Sequence, residues 1–135
     1  MDKVGYLFTR LRNAQSAGHS TCSLAYSNLN LELARFLTRE GFIGSYAVVD
    51  KTLANQKVYQ TITVVLKAKG FTQIGRISRP SRRVYVSCKE LKSLHKRKFQ
   101  GSPLVSLVVS TSQGLLTNSE SEKRNVGGEV LGYVL

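Results

Sequence analysis

Near its carboxyl end the chain carries Ser110-Thr111-Ser112-Gln113-Gly114 and then, beyond Thr117 and a short polar segment, Gly127-Gly128-Glu129. These residue types do hydrogen-bonding chemistry at close range. Small hydroxyls offer donors and acceptors without bulk, and glycines leave the backbone bare. Such a loop can press against a base or a sugar, and irregular RNA, which shows base edges and 2′-hydroxyls on shallow surfaces, suits it better than duplex DNA. Each cluster also has a structural use. The hydroxyls can cap the next element of the chain and Gly114 can permit a turn; Gly127-Gly128 can end the polar helix read over 119–125 or admit a phosphate backbone. Glu129 either pairs with Arg124 or accepts from a guanine or cytosine amino group. On the recognition reading, Gly128→Asp and Thr111→Ala impair RNA binding and leave the fold intact.

Catalysis is poorly served by the chain. His19 and His95 stand alone, Ser110 lacks the elbow motif of a hydrolase nucleophile, and no Gly-rich loop leads into a phosphate-binding Lys. A nucleophile needs a base beside it, so the expectation is no enzyme, no cofactor and no small-molecule substrate. Cys22 and Cys88 form neither a CxxC pair nor ligand spacing with a histidine. They are expected to be buried free thiols in a reducing compartment, with no metal site.

Charge points to a polyanion. Among 135 residues, 20 Lys and Arg face 8 Asp and Glu, a net charge of +12, which favours nucleic acid over membrane as partner. The excess is concentrated. Between Lys67 and Lys98 lie Lys67, Lys69, Arg76, Arg79, Arg82, Arg83, Lys89, Lys92, Lys96, Arg97 and Lys98, against Glu90 alone. From Ser110 onward the net charge is −1. The middle is therefore read as attracting phosphates, with Arg79 and Arg82 as candidate contacts, and the end as reading detail. The amino terminus lacks the apolar segment of a signal peptide, and no run approaches the roughly 18 apolar residues of a membrane span. A soluble, non-secreted protein is expected. Two readings stay open: a trimmed import presequence, or a gene inside the compartment where its product works.

The elements that position these residues are read as two small, closely packed lobes of α/β (α+β) class, 1–69 ordered α-β-α-β-β and 70–135 mostly β with short helices. Asp2 can cap a first helix whose Val4, Leu7, Phe8 and Leu11 make an apolar stripe. Thr9, Arg10, Arg12 and Asn13 fall largely off it, as a solvated face or as phosphate contacts. Thr21–Ala25 reads as a strand. Ser27 caps a second helix with Leu29, Leu33, Phe36 and Leu37 inward, closed by a left-handed Gly41. Strands over 42–49 and 58–66 form a hairpin with a loop over 50–57. Past a boundary at Gly70, strands over 72–77 and 83–87 flank a stiff basic turn over 78–82, where Pro80 fixes its own φ and extends Arg79. Tyr85, in the second of these strands, is a core residue or, if its ring is exposed, a stacking partner. A short helix comes next over 89–94, then an exposed loop over 95–103, and apolar strands over 104–109 and 130–135 that hold the two polar clusters at their ends.

The order STSQGLLT, a short helix, then GGEVLGYVL at the carboxyl end resembles the eighth-protein family of the small ribosomal subunit. Leu7–Asn13 (LFTRLRN), Arg39–Ile43 (REGFI) and Arg76–Tyr85 (RISRPSRRVY) resemble that family's first helix, second-helix exit and central turn, so the likeness runs along the chain. The resemblance implies a two-lobed α/β protein that binds the central domain of small-subunit ribosomal RNA directly, early in assembly, and lets neighbouring ribosomal proteins dock. It implies principal contacts from the second lobe at Tyr85, Ser110, Thr111, Ser112, Gly114, Gly127, Gly128 and Glu129, and a second contact at Thr9, Arg10, Arg12 and Asn13. The chain departs from the family pattern at Leu116 and Asn118, where Met and Asp are usual, at Ser81, where Gly commonly follows the proline, and over 94–103, which is more basic. Such drift is frequent in organelle versions, so a mitochondrial ribosome is expected ahead of a bacterial or plastid one.

Overall fold

The computed structural model describes residues 3–68 and 70–135, the side chain of Lys3 excepted. The expected cap at Asp2 and the cation Lys69 lie outside the described residues. The chain divides into two compact units, Met1–Phe71 and Thr72–Leu135.

In the first unit, helix α1 (Lys3–Ser16) buries Val4, Leu7, Phe8 and Leu11, one stripe at i, i+3, i+4 and i+7. Strand β1 (Thr21–Ala25) follows. Helix α2 (Asn28–Arg39) starts at Ser27, whose side chain accepts from the Asn30 amide, and buries Leu33, Phe36 and Leu37. It ends because Gly41 takes φ +81°, a conformation that costs a residue with a β-carbon. Strands β2 (Ser45–Thr52) and β3 (Val58–Val65) complete an antiparallel sheet of order β1-β3-β2. The hairpin loop is shorter than 50–57. Asp50, Lys51 and Thr52 stay in register with Gln60, Tyr59 and Val58, because an edge strand with both faces wet tolerates charge. Only residues 53–57 turn, with Gln56 at φ +64°.

The second unit is organised by its last strand. Strand β8 (Gly128–Val134) pairs on one side with β6 (Ser106–Thr111), which pairs onward with β7 (Gly114–Thr117). Its other side is lined end to end by β4 (Ile74–Arg76), against residues 132–134, and β5 (Tyr85–Val86), against residues 128–129. Between them the chain leaves the edge and returns. Arg79 and Arg82 exchange both backbone hydrogen bonds, 2.9 and 3.0 Å, with Pro80 and Ser81 at the tip, so the expected basic turn is a two-residue hairpin.

Helix α3 (Cys88–Phe99) begins at Ser87, which accepts from the Glu90 amide at 3.3 Å. It is twice the expected length, so residues 95–99 are helix and not loop. Lys96, Arg97 and Lys98 occupy the last turn, where cations complement the carbonyl end of the helix. His95 lies buried with Leu91 and Leu94, its Nε2 3.0 Å from the Val105 carbonyl. Gln100 at φ +56° and Gly101 at φ +73° then stop the helix. Leu91 and Leu94 pack on Leu107, Val109 and Val130, the core of this unit. Helix α4 (Asn118–Arg124) is capped by Thr117, which accepts from the Glu120 amide at 3.2 Å.

Because Leu91 is fully buried at the centre of that cluster, Leu91→Ala is expected to destabilise the protein by about 2–5 kcal/mol, read as a lower denaturant midpoint by circular dichroism. Lys92→Ala, on the exposed side of the same helix, should change it by less than about 0.5 kcal/mol.

Candidate nucleic-acid interface

Strand register brings the two polar clusters together. Glu129 of β8 is opposite Ser110 of β6 and opposite Tyr85 of β5. Residues directly opposite in neighbouring strands project from the same face, so Tyr85, Glu129 and Ser110 form one row. Tyr85 is 69% exposed, which overturns its reading as core. Its strand is two residues long and lies at the sheet edge.

Beside this row, Thr111 opposes Gly114, and Ser112 and Gln113 make a two-residue turn with Gly114 at φ +101°. Thr111 Oγ1 donates to the Gly114 carbonyl at 2.8 Å and accepts from the Gln113 amide at 3.1 Å. Its hydroxyl thus shapes the turn, and Thr111→Ala, expected to impair binding and leave the fold intact, also removes both of these turn hydrogen bonds. The Ser110 and Ser112 hydroxyls have no partner among the described residues, and Ser112 is exposed.

The double glycine does not end the helix, the first of the two roles expected for it. The helix before it ends at Asn125, φ +55°, so neither glycine is its cap. A β-carbon on Gly127 would lie 2.5 Å from the Val86 carbonyl oxygen and 2.8 Å from Ser87 Cα. On Gly128 it would overlap the Ser110 carbonyl oxygen outright. The missing side chains admit neighbouring strands of the same protein, and Gly128→Asp cannot leave the fold intact.

Glu129 does not pair with Arg124, which instead donates to Gln113 Oε1 at 3.1 Å and braces the turn. Its carboxylate accepts from Ser78 Oγ at 3.1 Å and faces Arg83 Nη1 at 3.4 Å. Ser78, 5% exposed, also accepts from the Val84 amide at 3.2 Å. This relay ties the root of the basic hairpin to the ledge. Nothing in the sequence paired Ser78 with Glu129, because only the end-to-end placement of β4 and β5 brings them within reach.

In the first unit Thr9, Arg10, Arg12 and Asn13 are all exposed on α1. Arg10 Nε donates to the Ser23 carbonyl at 2.9 Å, and its guanidinium lies 5.5 Å from the centre of the Tyr6 ring. Arg10 and Asn13 edge a hollow of about 370 Å³ that also includes His19 and Cys22. Burial pushes the Cys22 thiol up, against a smaller opposing pull from Arg10, so it stays protonated and is no nucleophile at neutral pH. Cys22 is buried as expected, but Cys88 is half-buried, since its position at the start of α3 faces the end of α4 only in part, with its thiol 3.7 Å from the Ser121 carbonyl. Both are free. No group of His, Cys, Asp and Glu that could hold a metal occurs among the described residues, and none of the described helices is long and apolar enough to cross a membrane.

A family model described as ribosomal protein S8 matches residues 2–135. The chain belongs to the ribosomal protein S8 family. Small ribosomal subunit protein uS8 of Leifsonia xyli is 42% identical over 138 residues, covering 98% of this chain and 96% of that one. The proteins of the same name from Chloroflexus aurantiacus and Mycoplasmopsis pulmonis are 37% and 33% identical with the same coverage.

Against the S8 pattern the departures are absorbed locally. Leu116 is 1% exposed, a volume-filling position where Leu and Met interchange readily. Asn118 Oδ1 accepts from the Leu107 amide at 3.2 Å, a bond an Asp oxygen makes equally. Ser81 has no positive φ, so the hairpin tip does not require glycine.

Two glycines of the ledge are expected to fail for different reasons. Gly128→Ala must displace backbone and should cost about 1–3 kcal/mol or more, with perturbed amide resonances at Ser110 and Thr111. Gly114→Ala has open space within 4 Å and meets only the conformational penalty of its positive φ, about 1–3 kcal/mol, with resonance changes confined to the turn. For the thiols, iodoacetamide near neutral pH should modify Cys88 well before Cys22. Because burial raises Cys22 in the fold above the ordinary thiol value, its share of stability is full below that ordinary value and lost as pH climbs through the folded one. The difference between thermal melts of Cys22→Ala and the parent should therefore narrow as pH rises.

Proposed function

We propose that this chain is a structural, non-catalytic component of the small ribosomal subunit that binds small-subunit ribosomal RNA in its central domain, supports subunit assembly and offers neighbouring ribosomal proteins a docking surface. The observation that carries this reading is the row Tyr85, Glu129 and Ser110, flanked by the Ser112 turn, on a chain of the S8 family. An exposed ring beside small hydroxyls and one anchored carboxylate is a surface for stacking on a base and hydrogen-bonding its edge. Its near neutrality supports selection by shape. The cations at Arg79 and Arg82 supply attraction without sequence preference. Ser110, Ser112, Tyr85 and Glu129 are direct contacts on this reading, whereas Thr111, Gly114, Gly127 and Gly128 act by holding them. Thr9, Arg10, Arg12 and Asn13 form a second contact, with Arg10 oriented by Tyr6 and Ser23.

We place the ribosome in an organelle, a mitochondrion ahead of a plastid or the bacterial cytoplasm. The support is drift at Leu116, Asn118 and Ser81 and the more basic stretch over 94–103. Finding the chain in cytosolic ribosomes of a bacterium would refute this placement and leave the rest standing.

Filter binding of the whole protein to a central-domain fragment of small-subunit RNA, with random RNA as reference, tests the main reading. The cognate fragment should bind at least about a hundredfold more tightly at physiological salt. Tyr85→Ala should weaken it about tenfold, the lower part of the range for one stacked base, and leave random RNA unchanged. Equal affinity for both RNAs sinks the assignment.

A further inference from the structure

The second unit carries another concave feature, which the ledge does not use. A hollow of about 630 Å³ opens between the basic hairpin and the last turn of α3. Arg79 and Arg82 border it from the hairpin and Arg97 and Lys98 from the helix. All four are exposed, none has an acidic partner among the described residues, and no acidic residue lines the space. Arg79 and Arg82 are directly opposite one another, so their side chains leave the hairpin on the same face. Leu94, Arg97 and Lys98 stand at i, i+3 and i+4, one side of the helix. The apolar part of the lining, taken as its floor, is Ile77, Val84 and Leu94, which pack inward against the core.

We infer that this hollow is a second RNA site, one that receives a single unpaired nucleotide, its base on the apolar floor and its flanking phosphates between the four cations. This rests on the RNA-binding reading above but not on the ledge. Four like charges held around one cavity repel each other and call for an anion. Apolar side chains beneath them call for something more than phosphate. A duplex backbone would present only phosphates and sugars and would leave the floor uncovered, and an acidic peptide would bring carboxylates without a flat apolar face. The volume lies within the range of sites that enclose a small organic ligand. Val84 and Tyr85 are consecutive in an extended chain and so point to opposite sides. The hollow therefore takes a different stretch of RNA from the one stacked on Tyr85. Half of it exists only because α3 continues through Lys98.

The test is titration of the whole protein, isotope-labelled at Ile, Leu and Val methyls, with pentauridylate, with an abasic ribose-phosphate pentamer and with a penta-glutamate peptide. Pentauridylate should shift the Ile77, Val84 and Leu94 methyls and bind at least about tenfold more tightly than either of the others, the gain expected of one stacked base. Arg97→Ala with Lys98→Ala should lower the slope of log affinity against log salt by about 1.4, from ~0.7 per phosphate on a single strand, with helicity unchanged by circular dichroism. Tyr85→Ala should leave these methyl shifts in place. Equal binding of the abasic pentamer, tighter binding of the peptide, or methyl shifts that vanish in Tyr85→Ala but persist in the double variant would each overturn the site. The last result would leave the ledge intact as an RNA surface.

Discussion

The second unit depends on one close approach of backbone to backbone. Where β8 begins, Gly127 runs against Val86 and Ser87 and Gly128 against Ser110, at distances no β-carbon could occupy. That approach lets one strand hydrogen-bond to β6 on one side and β5 on the other, and only then do Tyr85, Glu129 and Ser110 stand in a row. Side chains at those two positions would wedge the strands apart and dissolve the ledge without touching a residue that faces outward. The glycines therefore act one step away from the outward-facing groups, by fixing the distance between them.

A second constraint is electrostatic. A carboxylate on a protein of net charge +12 is not short of cations, yet Glu129 takes a buried hydroxyl, Ser78, and one guanidinium, Arg83. A hydroxyl that also accepts from the Val84 amide fixes direction in a way that an exposed ion pair, worth at most about 1 kcal/mol, does not. The acid is thereby turned into an oriented acceptor, while Arg79 and Arg82 have no acidic partner among the described residues. Such charges act over a Debye length of about 8–10 Å, while hydroxyls and an aromatic ring act only in contact. On the proposed RNA-binding reading, capture and discrimination are separated in space as well as in chemistry.

Much of this could be read along the chain, and the exceptions have physical causes. The stripe Val4, Leu7, Phe8 and Leu11, the Ser27 cap and the Gly41 stop are local signals with local consequences, so the first two helices were legible. The first unit's order of elements and the basic turn around Pro80 were legible for the same reason. Register was not. That Glu129 meets Ser78 follows from β4 and β5 sharing one edge of β8, a pairing across some fifty positions of sequence that no window contains. Helix α3 was underestimated because Lys96-Arg97-Lys98 looks like solvated loop. Yet cations are favourable in a last turn, and the buried Leu91, Leu94 and His95 set the helical period beneath them. Asn125 took the left-handed position that two nearby glycines advertised, since asparagine tolerates it and the glycines were needed one strand further on.

The same distinction explains why the chain can drift from the S8 pattern without losing its architecture. Leu116 need only fill volume, Asn118 need only present one acceptor to the Leu107 amide, and Ser81 turns the hairpin without a positive φ. Each requirement admits several residue types. Gly127 and Gly128 admit one, and Thr111 needs a hydroxyl that can donate and accept at once. Substitution is therefore cheap wherever a position answers to volume or to a single hydrogen bond. It is expensive where the protein's own backbone occupies the space, so the least replaceable residues of the ledge are ones that need touch no nucleotide.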